Sequence, residues 1–354
     1  MSSQPASPSV HAERLELLAL GEVMLRLSPP GHGRLEFSRT LEIDVGGGEY
    51  NVAHALARLG HATGIATALP DNELARVILQ HARAAGMSTE FVRLNPFDGV
   101  GRTGRVGLYF AEIGMGPRGG LALFDRAGSD ASRLQPDDLD WDQVMRRTRR
   151  FHCSGIFPVL SESTRATLRA AVAAAGRQGV QISYDLNFRS KLCTPAAAAE
   201  INREIAASAQ VLLGSPEGFA AMLELNPASG ESIPESTLID GLRGRFPSIR
   251  HIAATRRVVR SGSRHELSGW LWSEGQLHRS RIWNDLEIED RVGSGDAFAA
   301  GILHGLAKRL EGAVTVDFAV AYAALLHTTR GDTSQFTEAE VMAAMNDASA
   351  AMKR

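Results

Sequence analysis

The chain has 354 residues, 44% of them apolar and 22% charged, with a formal net charge of -2 and a pI near 6.6. That content suffices for a large buried core, and the near-neutral balance excludes the broad basic surface that nucleic acid or an anionic membrane requires. Two cysteines without metal-ligand spacing argue against a disulfide framework and for a reducing, cytoplasmic compartment, and no apolar run is long enough to cross a bilayer.

Residues 1–14 are rich in Ser and Pro, too polar to offset the entropy of ordering, so a disordered tail is expected ahead of one folded unit over 15–354. Residues 15–27 form a largely apolar run that reads as a strand, and 35–45 alternate weakly, as a half-exposed strand would. Asn51-Val-Ala-His-Ala-Leu-Ala-Arg-Leu-Gly60 puts Val52, Ala55, Leu56 and Leu59 on one helical face and stops at glycine. A strand over 62–68 and a helix over 73–85 come next. Residues 105–112 and 120–124 read as two strands around the Gly/Pro loop 114–119; this insertion lacks helices and, with strands from about 22–45, is expected to form a lid.

From there the order becomes strand 151–155, helix 163–178, strand 181–185, helix 195–207, strand 211–213 and helix 217–225. That alternation predicts an α/β fold with a mostly parallel sheet covered by helices on both faces. Ligands of such sheets sit at the carboxyl ends of the strands, so the loops after Asp185, Leu213 and Ala254 should converge with residues 293–296. Trp270, Trp272 and Trp283 fall in a strand-like meander and read as packing. His54, His304 and His327 lack paired metal-ligand spacing, so no zinc is expected.

The densest chemistry lies in Asp290-Arg-Val-Gly-Ser-Gly-Asp296-Ala-Phe-Ala-Ala-Gly301. Gly293 and Gly295 allow a turn that points N–H groups inward, and the helix that follows adds the positive end of its dipole, so an anion site stands beside Asp296. A plain N-cap role is the other reading of that acid. Asp44-Val-Gly-Gly-Gly-Glu-Tyr-Asn51 opens a helix after a strand but forms no Gly-x-Gly-x-x-Gly, which removes a dinucleotide loop.

With these residues the chain resembles the ribokinase-like (PfkB-type) sugar kinases. Their second signature, Asp-Thr-Val/Thr-Gly-Ala-Gly-Asp-Ala-Phe, differs here by Arg291 and Ser294; their first, Gly-Gly-x-x-x-Asn-x-Ala, is met at Gly46, Gly47 and Asn51. Within the family the chain is most similar to 2-keto-3-deoxygluconate kinases, through Gly21-Glu-Val-Met-Leu-Arg-Leu-Ser-Pro-Pro30, Gly107-Leu-Tyr-Phe-Ala-Glu112, Phe124-Asp-Arg-Ala-Gly-Ser129, Tyr184-Asp-Leu-Asn-Phe-Arg-Ser-Lys-Leu192 and His327-Thr-Thr-Arg-Gly-Asp332. The resemblance implies a ribokinase-like three-layer α/β/α fold with a small β-sheet lid, ATP as donor, Mg2+ bridging its phosphates, and a homodimer or higher homo-oligomer.

It further implies Asp296 as the base and Gly293, Ser294 and Gly295 as the phosphoryl cradle. Gly46, Gly47, Asn51, Tyr109 and Arg126 become sugar contacts, and Arg189 a clamp for the substrate or for phosphate, because a carboxylate in a cleft needs a planar cationic fork. Thr255 and Thr328 fall in the nucleotide loops, and the segment 327–332 on the adenine pocket. The chain departs from the pattern at Ala111, where related kinases carry Arg, and at Ser215-Pro-Glu-Gly218, which replaces an Asn-x-x-Glu segment and leaves Glu217 either as an indirect Mg2+ ligand or as a first-turn acid favoured by the helix dipole. Fructokinase, 5-keto-2-deoxygluconate kinase and ribokinase activities are the alternatives within the class; a catalytically silent binding protein is the alternative outside it.

Overall fold

The computed structural model describes residues 14–189, 191–225 and 233–346, so all of the expected tail except Arg14 lies outside the described residues. The chain opens with β1 (Leu15–Leu20), β2 (Met24–Ser28), a short 3-10 turn at Leu35–Phe37, and β3 (Glu42–Gly46). Next come α1 (Gly48–Arg58), β4 (Thr63–Pro70), α2 (Glu73–Ala84), β5 (Val92–Asn95), β6 (Gly107–Glu112) and β7 (Leu121–Asp125). The central part holds α3 (Trp141–Arg146), β8 (Thr148–Ser154), α4 (Glu162–Arg177), β9 (Gln181–Asp185), α5 (Pro195–Ala206), β10 (Val211–Gly214), α6 (Pro216–Met222) and α7 (Glu235–Arg245). It closes with β11 (His251–Ser261), β12 (Arg264–Ser273), β13 (Gln276–Arg279), β14 (Trp283–Glu287), α8 (Ser294–Lys308), α9 (Gly312–Leu326) and α10 (Glu338–Met345).

The large sheet has the order β13-β12-β11-β10-β9-β8-β1-β4-β5, with β14 also paired to β12. It is parallel from β11 to β5 and antiparallel only where β12 joins β11, β13 and β14. Side chains alternate across each strand, so Leu17, Ala19 and Ala253 pack into a core with α1, α2, α8 and α9, whereas Leu18, Leu20, Ile252 and Ala254 pack into a second core with α3, α4, α5, α6 and α7. The second, four-stranded sheet has the order β3-β2-β6-β7. Helices α8 and α9 press together so closely that a Cβ on Gly301 would stand 2.5 Å from the Cα of Ala319. Among the described residues no helix is long and apolar enough to cross a membrane.

Three expected strands are corrected. The run 15–27 is not one strand: Gly21, Glu22 and Val23 interrupt it, leaving β1 in the large sheet and carrying β2 into the small one. An unbroken apolar run has no marker for such a change of sheet. Residues 35–45 likewise divide into the 3-10 turn and β3. The strand expected to stop at Ala254 runs on to Ser261, so Thr255 is a strand residue paired with Gly269 and not a loop residue. Trp270 and Trp272 are buried in the core, as expected for packing.

Candidate active site

The expected convergence occurs. One cavity of about 1820 Å³ is lined by Asp185, Gly214, Thr255 and residues 291–296, which come from loops and strand ends on the carboxyl side of the large sheet. Met24 of β2, Tyr109 of β6 and residues 121–127 of the small sheet supply another wall.

Gly293 adopts φ 82° and precedes the first turn of α8. Any side chain there would collide with the chain itself, since a Cβ would fall 2.1 Å from the carbonyl oxygen of Asp332. Gly295, by contrast, faces open space, and residues 293–295 line the cavity at the start of α8, the positive end of that helix.

Asp296, in the same turn, accepts a 2.7 Å hydrogen bond at Oδ2 from Nδ2 of Asn51 in α1. Its Oδ1 has no hydrogen-bond partner among the described residues, and the residue lines the cavity. Burial raises the Asp296 carboxyl well above the carboxylate range; the Asn51 hydrogen bond works against that shift, and the Asp185 charge adds to it. Asp185 is itself pushed up by burial, with the Asn187 N–H holding its Oδ1 at 3.0 Å. Asn187 has a φ of 35°, and its side-chain Nδ2 stands 3.0 Å from the Cβ position of Gly48, which is 3.8 Å from Oδ1 of Asp296.

The other expected residues divide sharply. Gly47, Arg189, Thr255 and Glu217 line the cavity. Arg189 is exposed; among the described residues its side chain makes one hydrogen bond, to the Phe188 carbonyl at 3.2 Å, and has no carboxylate in ion-pair range. Gly46 ends β3 against Asp332, set back from the cavity wall. Tyr109 donates its hydroxyl to Asp332, and Arg126 is bonded by two of its nitrogens to Glu22, so both contacts face the cavity already engaged. Ala111 is buried beside Met24 and Tyr109, where it offers no charge.

Thr328 is exposed and outside this cavity, and its Oγ1 donates to the Leu325 carbonyl at the end of α9. Of the segment 327–332 only Asp332 reaches the cavity, and His327 is buried. Ser215 caps α6, its Oγ accepting from the Gly218 N–H at 3.1 Å, which places Glu217 exposed in the first turn. Among the described residues no group of three or more His, Cys, Asp or Glu is placed to cage a metal.

Sequence reasoning missed Arg26. This side chain is 1% exposed, with Nη2 at 2.6 Å from Asp290, Nη1 at 2.9 Å from Asp332 and Nε at 2.8 Å from the Ser28 hydroxyl. No local pattern marks it, because its partners lie near the other end of the chain.

A carboxylate held above its usual range beside a glycine turn at a helix N-terminus can take a proton from an alcohol while the turn holds an anion. The sequence pattern of pfkB family carbohydrate kinases matches residues 14–339. The chain belongs to this family. A 2-dehydro-3-deoxygalactonokinase from Haloferax volcanii is 32% identical over 343 residues, which cover 96% of this chain and 99% of that relative. A 2-dehydro-3-deoxygluconokinase from Thermoproteus tenax is 26% identical, over 90% of each chain. The crystal structure of a 2-dehydro-3-deoxygluconokinase from Thermotoga maritima superposes with a TM-score of 0.88 at 30% identity, covering 94% of this chain and 99% of that one. The pfkB kinase described here is therefore a carbohydrate phosphotransferase with a ribokinase-like α/β fold.

Below the site, Glu49 of α1 is buried, accepts from the Ser154 hydroxyl at 2.6 Å, and is pushed up by burial to about 7. A folded-state value above the unfolded one of 4.5 means that the folded chain holds the extra proton. Stability from this group is thus greatest at acid pH and is lost as pH rises toward 7. Glu49→Gln should stabilise the protein by roughly 1–3 kcal/mol at pH 8 and change little at pH 4.5. Denaturant midpoints of wild type and variant at both pH values measure this; an equal or larger effect at acid pH would contradict it.

Proposed function

We propose that this kinase transfers the γ-phosphoryl group of ATP to the terminal hydroxymethyl oxygen of a 2-keto-3-deoxy sugar acid, with 2-keto-3-deoxygluconate as the leading acceptor. The observation that carries the reading is Asp296, whose free Oδ1 opens on the cavity from the same helical turn as Gly293, Ser294 and Gly295. Asn51 fixes the rotamer by holding Oδ2, so Oδ1 is left to accept the proton of the sugar hydroxyl. As that proton moves to Asp296, the hydroxyl oxygen bonds to the γ-phosphorus and the bond to the departing ADP oxygen breaks. The N–H groups of residues 293–295 stabilise the charge on the transferred group.

Mg2+ suits a site without a protein cage, because it travels mainly with phosphates and water. It would supply charge neutralisation between the phosphates. Exposed in the cavity wall, Glu217 is the acid able to hold one of its waters.

Support for a sugar acid comes from Arg189, the guanidinium whose charge acts on both Asp185 and Asp296 yet which lacks an ion-pair partner among the described residues. With Arg126 neutralised by Glu22 and Ala111 apolar, Arg189 is left to meet the acceptor's carboxylate. The relative named for the galacto epimer makes 2-keto-3-deoxygalactonate the second acceptor to assay.

Asp296→Asn should lower kcat by roughly 10² to 10⁴ in a coupled ADP-release assay while ATP still binds. The wild-type rate should fall as pH drops through the raised Asp296 value, since protonation removes the acceptor, and should fail at a pH above that at which an ordinary carboxylate titrates. Near-normal turnover of the Asn variant overturns the base assignment.

Arg189→Ala should reduce kcat/KM for 2-keto-3-deoxygluconate by about tenfold or more and leave that for fructose much less affected. Equal losses on both sugars would instead make Arg189 a phosphate ligand.

A further inference from the structure

Strand β11 continues past the carboxyl edge of its parallel neighbours and, with β12, forms a hairpin over the cavity. The hairpin is braced at its tip, where Gly262 N–H donates to the Gly116 carbonyl at 2.7 Å and Ser263 Oγ accepts from Gly116 N–H at 3.2 Å. Alternation along β11 puts Thr255 and Arg257 on the face of Ala253, the face turned to α8 and α9; the register sets Arg257 opposite Leu267, which packs in that same core. Arg291 lies two residues ahead of Gly293, near enough for its charge to act on Arg257. Both arginines line the cavity.

Neither has a hydrogen-bond or ion-pair partner among the described residues, whereas the acids around them are committed. Asp290 is held by Arg26, Glu289 stands 3.7 Å from Arg330, Glu266 pairs with Arg260 at 2.9 Å, and Glu287 pairs with Arg264 at 3.4 Å. The groups beneath do not compensate either. Burial first, then Arg257 and Arg291, push His265 down to about 4, and burial with the neighbouring His265 does the same for His327, so both rings are neutral at pH 7. Burial and the charge of Arg291 also work against the Arg257 guanidinium. Two adjacent cations facing one cavity without an acid is an arrangement that a polyanion relieves.

We propose that Arg257 and Arg291 form a two-guanidinium clamp for the polyphosphate chain of the nucleotide donor. The assignment rests on the kinase reading given above and on direction. In-line transfer sets the leaving phosphates opposite the attacking hydroxyl, and the hydroxyl side is occupied by Asp296, Asn51 and Arg189. The phosphates beyond the transferred one then extend from residues 293–295 toward Arg291 and the β11 face. Guanidinium forks match phosphate oxygens in pairs, so the clamp orients the leaving group as well as attracting it.

The test is calorimetric titration of ATP, adenosine and inorganic tripolyphosphate into the full chain and into Arg257→Ala, Arg291→Ala and the double variant, alongside KM for the acceptor. Each single change should weaken ATP by about tenfold and the double change by more, with adenosine binding and the acceptor KM held within about twofold. An unchanged ATP Kd in the double variant overturns the clamp, and so does a rise in acceptor KM alone, which would assign the pair to the sugar's carboxylate. Should the wild type release no ADP with any sugar yet bind tripolyphosphate through these arginines, the kinase reading fails and the clamp stands. Tripolyphosphate bound equally by wild type and double variant removes the clamp itself.

Discussion

The guanidinium of Arg26 joins parts of the chain that are far apart in sequence: Asp332 is separated from it by 306 positions. Burying an ion costs several kcal/mol even after relaxation, so such a charge persists only where its partners are complete. Here they are. Asp290 and Asp332 accept from the two terminal nitrogens, Ser28 accepts from Nε, and Tyr109 occupies the remaining oxygen of Asp332. Asp290 in turn accepts from the Val292 N–H at 3.1 Å and the Gly331 N–H at 3.3 Å. Burial works against the charge on Arg26, yet Asp332 and Asp290 outweigh it and hold the guanidinium above its ordinary value. One buried cation therefore fixes β2 of the small sheet, the residues leading into the anion loop, and the segment after α9 against which Gly293 is pressed.

From that fixed point the charges of the cavity fall into an order. On the small-sheet side the ions are paired, Arg26 with two acids and Arg126 with Glu22, which leaves this wall electrically quiet. In the centre Asp185 and Asp296 are acids without an ion pair, held by Asn187 and Asn51 through neutral hydrogen bonds. At the margins Arg189, Arg257 and Arg291 are cations without an acid partner among the described residues. With Asp296 as the proposed base, such an arrangement suits transfer of a highly anionic group to an alcohol, because the ligands bring the missing negative charge and the acid is not neutralised beforehand.

The local features were legible in the sequence. A glycine-flanked turn running into Asp296, a helix stopped by Gly60, and alternating strands and helices after residue 151 each carry their signal within a few residues, and the structure places all of them as read. What was not legible depends on partners distant in the chain. The run 15–27 looks continuous because every residue but a few is apolar, yet its second half belongs to another sheet, paired with β3 and β6 and carrying Arg26 to Asp290 and Asp332. The strand Val92–Asn95 is short, half polar and at a sheet edge, so periodicity had nothing to register. Thr255 and Thr328 were placed by resemblance to loops; one is held in β11 by its pairing with Gly269 and the other closes the end of α9, outcomes set by tertiary packing. Tyr109 and Arg126 were found at the cavity, but their engagement by Asp332 and Glu22 could not be read without the fold.

The central claim is that Arg26 holds the anion loop in the conformation that serves Asp296. Amide hydrogen exchange of residues 292–295 in Arg26→Leu, compared with wild type, tests it most directly. The account predicts at least about tenfold faster exchange in that loop and unchanged protection in β1 and β8 of the large sheet. Equal protection of residues 292–295 in the two proteins would contradict it.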